Sequence, residues 1–197
     1  MDKLIARTTV SPGFFNESEF PVRTNSLRLE ELPLSGIIRI QGKSEDGAIR
    51  LGVASAVGVP LPGPERVSEG GDVQLAWAGP NECLCFCPLA SEERYATSLV
   101  NALAGQFATV TIVSDSRVAI QVSGADAAAL LASGCAIDVH PSSFEVGHVV
   151  ITRFAGLPAM MMHPESSEYV LYFDVSATEY VVTWLLKAAE EFVHQTS

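Results

Sequence analysis

The chain has 197 residues, 48% of them hydrophobic and 18% charged, with 12 Lys and Arg against 23 Asp and Glu for a formal net charge of −11. That length suits one large domain or two small halves around a shared core. Lys and Arg are absent from Val118 through Thr152, so no basic surface tracks a phosphate backbone, and neither nucleic acid nor an anionic membrane is an expected partner.

Met1 to Ser35 carries scattered turn formers and phenylalanines, among them Phe14, Phe15 and Phe20, with no sustained period of 2 or 3.6. It reads as an extended arm (1–35) that binds a partner. From Gly36 a single domain runs to Ser197, in halves of about 36–115 and 116–197. IIRIQ is a short strand, and Ser44, Glu45 and Asp46 open a helix that runs to about Val57. GVPLPGPERVSEGG breaks it. VQLAWAG and ECLCFCP are strands joined at Gly79, Pro80 and Asn81, a hairpin by turn chemistry, and Ser91 caps the next helix through about Leu103. ATVTIVSD and RVAIQVSG follow, then a helix ADAAALLAS, a Gly-Cys loop, the strands HVVITRFAG, LPAMMMH and EYVLYFD, and a last helix from Ala177 to about Val193. The succession strand, helix, hairpin, helix, strand is followed by strand, helix, hairpin, strand, helix. The fold class expected is therefore α+β, built from two related units.

Ser176 with Glu179 reads as a capping box at the start of the last helix. Glu179, Thr183, Lys187, Glu190, Glu191 and His194 form a narrow polar stripe on an otherwise apolar cylinder. Tyr180, Trp184, Ala188 and Phe192 are assigned to the core, and Val182, Leu186 and Val193, on a neighbouring face, to a partner chain. A charged fraction below the ~25% usual for soluble domains agrees with surface hidden by another subunit.

Four cysteines, three of them crowded into Cys83, Cys85 and Cys87, do not form the framework of a secreted disulfide scaffold and suit a reducing cytoplasm. No apolar run approaches the ~20 residues that span a bilayer, and the start MDKLIARTTVSPG has no signal-peptide pattern. On a strand the three thiols share one face while Leu84 and Phe86 share the other. Neighbours on that face stand about 6.6 Å apart with parallel side chains, a poor match to tetrahedral metal binding, so a covered core strand is expected. GCAIDVHP, Gly134 to Pro141, gathers a thiol, a carboxylate and an imidazole. A nucleophilic triad normally draws its members from distant segments, so Asp138 and His140 are read as structural or partner-contact residues of a loop that Gly134 begins. The histidines show no metal-ligand spacing, and neither GxGxxG nor GxxxxGK[ST] occurs. No catalytic, cofactor-binding or metal residue is assigned to this chain.

Three stretches together resemble the gamma subunit of heterotetrameric sarcosine oxidase. LAWAGPNECL (Leu75 to Leu84) is similar to that family's short Trp-containing motif, and VSDSRVAIQVSGADAAALLASGCAIDVHPSSF (Val113 to Phe144) to its longest signature. The closing SATEYVVTWLLKAAEEF places Tyr180 and Trp184 as the family does. Cys83 stands where the family usually has Trp, Asn81 where it has Asp, and Val175 where a basic residue is common. The resemblance implies a duplicated fold like the folate-binding domain of aminomethyltransferases. It also implies membership in a four-chain flavoenzyme that demethylates sarcosine to glycine and yields hydrogen peroxide and methylenetetrahydrofolate. FAD, FMN, NAD, tetrahydrofolate and zinc are then expected in the alpha, beta and delta subunits and none in this chain, which would be noncatalytic. The competing readings are a free-standing folate-binding protein of the aminomethyltransferase or tRNA-modifying class, and a small hydrolase built on Cys135 and His140.

Overall fold

The computed structural model describes residue 10 and residues 20–193. In chain order the elements are β1 (Val22–Arg23), β2 (Arg28–Glu31), β3 (Ser35–Gly42), α1 (Gly47–Val57), β4 (Val67–Gly70), β5 (Val73–Gly79) and β6 (Glu82–Pro88). Then follow α2 (Glu92–Ala102), β7 (Ala108–Ile112), β8 (Arg117–Ser123), α3 (Ala127–Ala132), β9 (Val149–Phe154), β10 (Leu157–Glu165), β11 (Glu168–Asp174) and α4 (Thr178–Val193). The fold is a mixed one of α-helices and two sheets, and the chain divides into two compact units.

One unit comprises Ser35–Asp115 with His148–Val150, and its sheet runs in the order β4-β5-β6-β3-β7. Helix α1 starts where Asp46 accepts the Ala48 N–H at 2.8 Å, and it stops at Gly58, whose φ of 75° returns its own N–H to Ala54. Ile49, Val53 and Val57 recur every four residues, so one stripe of α1 meets Ala96 and Leu99 of α2. Both helices cover the sheet face formed by Ile38, Ile40, Leu75 and the three strand cysteines.

The other unit holds the described residues up to Leu34, Ser116–Gly147 and the chain from Ile151, with its sheet ordered β1-β2-β8-β11-β10-β9. Val118, Ile120 and Val122 alternate inward along β8, as a half-buried strand requires. The region read as an arm ends differently from that expectation. β2 pairs antiparallel with β8, Leu29 opposite Val122, and Leu27 and Leu29 are fully buried. Two- and four-residue strands are too short to show a period, which is why this pairing leaves no pattern in sequence. Gly124 fastens it: at φ 110° a Cβ there would lie 2.2 Å from the Ser26 carbonyl, which instead accepts the Asp126 N–H at 3.0 Å.

Three further expectations are corrected. β4 lies inside the stretch read as a break, because VSEG is a short edge strand without apolar alternation. The Ser176–Glu179 capping box does not form. Asp174 takes both the N–H and the hydroxyl of Ser176, and a 3-10 turn, Val175–Ala177, leads into α4. The buried face of α4 is Thr178, Val181, Val182, Leu185 and Ala189, so Val182 packs inside this chain and is not a partner contact. Tyr180 is exposed and bonds the Ala155 carbonyl, while Trp184, Ala188 and Phe192 are half-buried flanks.

Candidate functional site

The thiol strand is structural. Cys83, Cys85 and Cys87 are free, buried side chains of the apolar cluster beneath α1 and α2, and Leu84 and Phe86 are buried on the opposite face. Burial pushes every one of these thiols up, Cys85 to about 12 and Cys87 to about 11, and neighbouring sulfur or carboxylate charge adds to the effect. A thiol held protonated this far above neutral pH is a poor nucleophile, because the thiolate is the attacking species. Among the described residues no group of three or more His, Cys, Asp or Glu is placed to hold a metal ion.

The Gly-Cys loop brings Cys135, Asp138 and His140 close in sequence without joining them chemically. Cys135 bonds through its backbone to Leu131 and bridges Phe154. Asp138 accepts the Ser143 hydroxyl at 2.7 Å and the His140 N–H at 2.9 Å, which holds its exposed carboxyl below the usual carboxylate range. His140 turns Nδ1 to Ser142, whose hydroxyl lies at 2.7 Å and whose N–H donates at 3.2 Å. Carboxylate and imidazole each serve a local turn, so the base-to-nucleophile hydrogen bond that a triad needs is not made. Gly134 follows the last residues of α3, and its lack of a side chain has a reason beyond helix termination. A Cβ there would meet the Trp184 ring at 2.5 Å. Trp184 in turn stands edge-on to Phe154, centroids 5.0 Å apart.

Sequence reasoning missed the residue that organises this loop from below. His163 on β10 is 1% exposed and lies parallel to Tyr169, centroids 4.4 Å apart, with Phe144 stacked at 5.7 Å. Its Nδ1 lies 2.6 Å from the Phe144 carbonyl, an acceptor only, so that nitrogen carries the proton. Among the described residues no group bonds its buried Nε2. Tyr169 donates its hydroxyl to the Val139 carbonyl at 3.3 Å, and Gly147 N–H meets the His163 carbonyl at 2.8 Å. The loop from Asp138 to Gly147 is thereby tied to β10 and β11.

Surface features lie elsewhere. In the unit that contains β7, Leu51, Val100 and Phe107 are exposed, Phe107 at 98%, and Phe107 stands beside a groove of about 510 Å³ lined also by Gln41, Lys43 and Asn81. In the other unit Val146, Ile151 and Tyr180 are exposed. Asp138 and His140 are exposed, and Phe20 and Leu186 are half-buried. Phe14, Phe15 and the Val193 side chain fall outside the described residues.

Residues 41–191, which include the thiol strand, the Gly-Cys loop and nearly all of α4, match the model of the sarcosine oxidase, gamma subunit family. The chain belongs to that family. The gamma subunit of sarcosine oxidase from Corynebacterium sp. (strain P-1) is 28% identical over 172 residues, 86% of this chain and 83% of the relative. That from Corynebacterium sp. (strain U-96) is 31% identical over 148 residues, 74% and 70% of the two chains. A chain of the heterotetrameric sarcosine oxidase from Corynebacterium sp. U-96, solved with pyrrole 2-carboxylate, superposes with a TM-score of 0.81 at 25% identity, covering 89% of this chain and 90% of that one. The glycine cleavage system aminomethyltransferase T from Bartonella henselae gives a TM-score of 0.61 at 13% identity, covering 86% of this chain and 48% of that one, and shares the fold alone. Among the described residues no helix is long and apolar enough to cross a membrane.

Proposed function

We propose that this chain is the noncatalytic gamma subunit of a heterotetrameric sarcosine oxidase, and that it supports oxidative demethylation of sarcosine to glycine, with formation of hydrogen peroxide and methylenetetrahydrofolate. The observation that carries the reading is the likeness, over nine-tenths of both chains, to a component of a solved heterotetramer. FAD, FMN, NAD, tetrahydrofolate and zinc belong to the alpha, beta and delta subunits in this reading. The four free thiols agree with a cytoplasmic setting. Phe20, Asp138, His140 and Leu186 are the described residues proposed to touch partners, together with the segment that carries Phe14 and Phe15 and with Val193.

The finer fold reading is a duplication. In its support, β3 lies between β6 and β7 as β8 lies between β11 and β2. Glu82–Pro88 and Glu168–Asp174 are both seven-residue strands with one burial pattern, and each passes through a three-residue 3-10 turn into a helix. An independent folate-binding function would rest on shared fold alone, which does not specify function.

Purification of the isolated chain tests the assignment. It is expected to be colourless and to form no peroxide from sarcosine. A flavin absorbance band copurifying in stoichiometric amount with this chain alone would sink the idea.

A further inference from the structure

Among the described residues β7 is the last strand of its sheet and pairs only with β3. The Val113 N–H donates to the Ile37 carbonyl at 2.8 Å, while the Gly42 N–H turns the other way, to Asn81. These two bonds set the phase of the ladder. Thr109 and Thr111 direct their backbone groups to β3, and Ala108, Val110 and Ile112 direct theirs to the open edge. Natural edge strands are ordinarily blunted by charge, proline, a bulge or a covering element. Gly105 to Ser114 contains no charged residue and no proline, the pairing with β3 has no bulge, and Thr109, Thr111 and Ile112 are exposed. Such a strand is a template for pairing with another chain.

The second sheet shows what fits there. β2 holds beside β8 the position that β7 holds beside β3, and the outer edge of β2 is taken by an antiparallel strand, β1. At the head of β7 the groove of about 510 Å³ is lined by Phe107, with Gln41, Lys43, Asn81 and Gln106 among the other lining residues. Ala108 and Thr109 also line it, so this groove reaches the first two residues of the edge strand.

We propose that β7 accepts an extended segment of a neighbouring oxidase subunit as an added antiparallel strand, with one side chain of that segment seated against Phe107. Main-chain bonds would supply the affinity and the groove the selectivity. The inference rests on the subunit reading above.

Amide hydrogen exchange, resolved by residue and run on the free chain and on the four-chain complex, tests it. Thr109 and Thr111 are expected to exchange slowly in both states. Ala108, Val110 and Ile112 are expected to exchange fast in the free chain and about 100-fold or more slower in the complex. An assembled complex in which those three stay fast overturns the added strand and leaves the subunit reading standing; failure to assemble overturns both. Protection already present in a free chain that sediments as a dimer assigns the edge to a second copy and also overturns the proposal. Ile112→Pro removes one outward N–H without touching the bonds to β3, a position where an edge strand tolerates proline, and Phe107→Ser alters a side chain that is 98% exposed. Each is expected to weaken assembly about tenfold or more while the free chain keeps its melting temperature. If Ile112→Pro unfolds the free chain, Phe107→Ser decides, and its assembly at parental affinity overturns the proposal.

Discussion

At the scale of single residues, chemistry that draws the eye in sequence is spent on packing. The alternation Cys-Leu-Cys-Phe-Cys was enough to place three thiols on one face, and burial of both faces followed from the absence of any charge between Glu82 and Glu92. Native-state labelling at mildly alkaline pH is therefore expected to modify Cys135, which is half-buried, first and the strand thiols only on unfolding. The same burial has a pH signature. An unfolded thiol titrates near 8.5, while Cys85 in the fold is pushed up to about 12. Between those values the unfolded chain has lost a proton that the folded chain keeps, so stability is full below about 8.5 and falls as pH rises, by about 1.4 kcal/mol per pH unit for such a buried thiol. Chemical denaturation across that range checks it, and Cys85→Ala should flatten the slope. The Phe144–His163–Tyr169 stack, in contrast, was illegible. Its members come from a loop and two strands, and nothing in MMMH marks the imidazole as the one that meets the Phe144 carbonyl.

Elements were legible wherever a period and a cap coincided, as in α1 with Asp46 and Gly58, and illegible where the strand was too short for a pattern, as in β1, β2 and β4. Helix α4 was placed in the right residues with the wrong face inward. Its apolar side chains cover too wide an arc to choose among, and the bulk of Tyr180 and Trp184 drew them to the core. The polar stripe held the better signal. At about 100° per residue, the mean direction of Glu179, Thr183, Lys187 and Glu190 lies nearly opposite Leu185, which is fully buried. Leu185→Ala is accordingly expected to cost about 2–5 kcal/mol of stability. Leu186→Asp, on a half-buried flank, should leave the free chain folded and weaken assembly by desolvating a charge at an apolar contact. Thermal melts of both variants beside a binding assay check this pair, and a Leu186→Asp chain as unstable as Leu185→Ala would place that flank in the core.

For the whole molecule, composition pointed beyond the chain itself, since 18% charged residues is low for a domain that must keep its entire surface in water. The structure gives that deficit particular addresses: an uncharged edge strand, an exposed Phe107 and a groove beside it. Family membership came through to the sequence because its motifs sit on the hairpin, the β8–α3 turn and α4, where spacing is fixed by the fold. The subunit account is tested most directly by native mass spectrometry of this chain, tagged and coexpressed with alpha, beta and delta subunits of a sarcosine oxidase. It requires a four-chain assembly that carries one copy of this chain, and recovery of the tagged chain alone, with the other three assembled without it, would contradict the account.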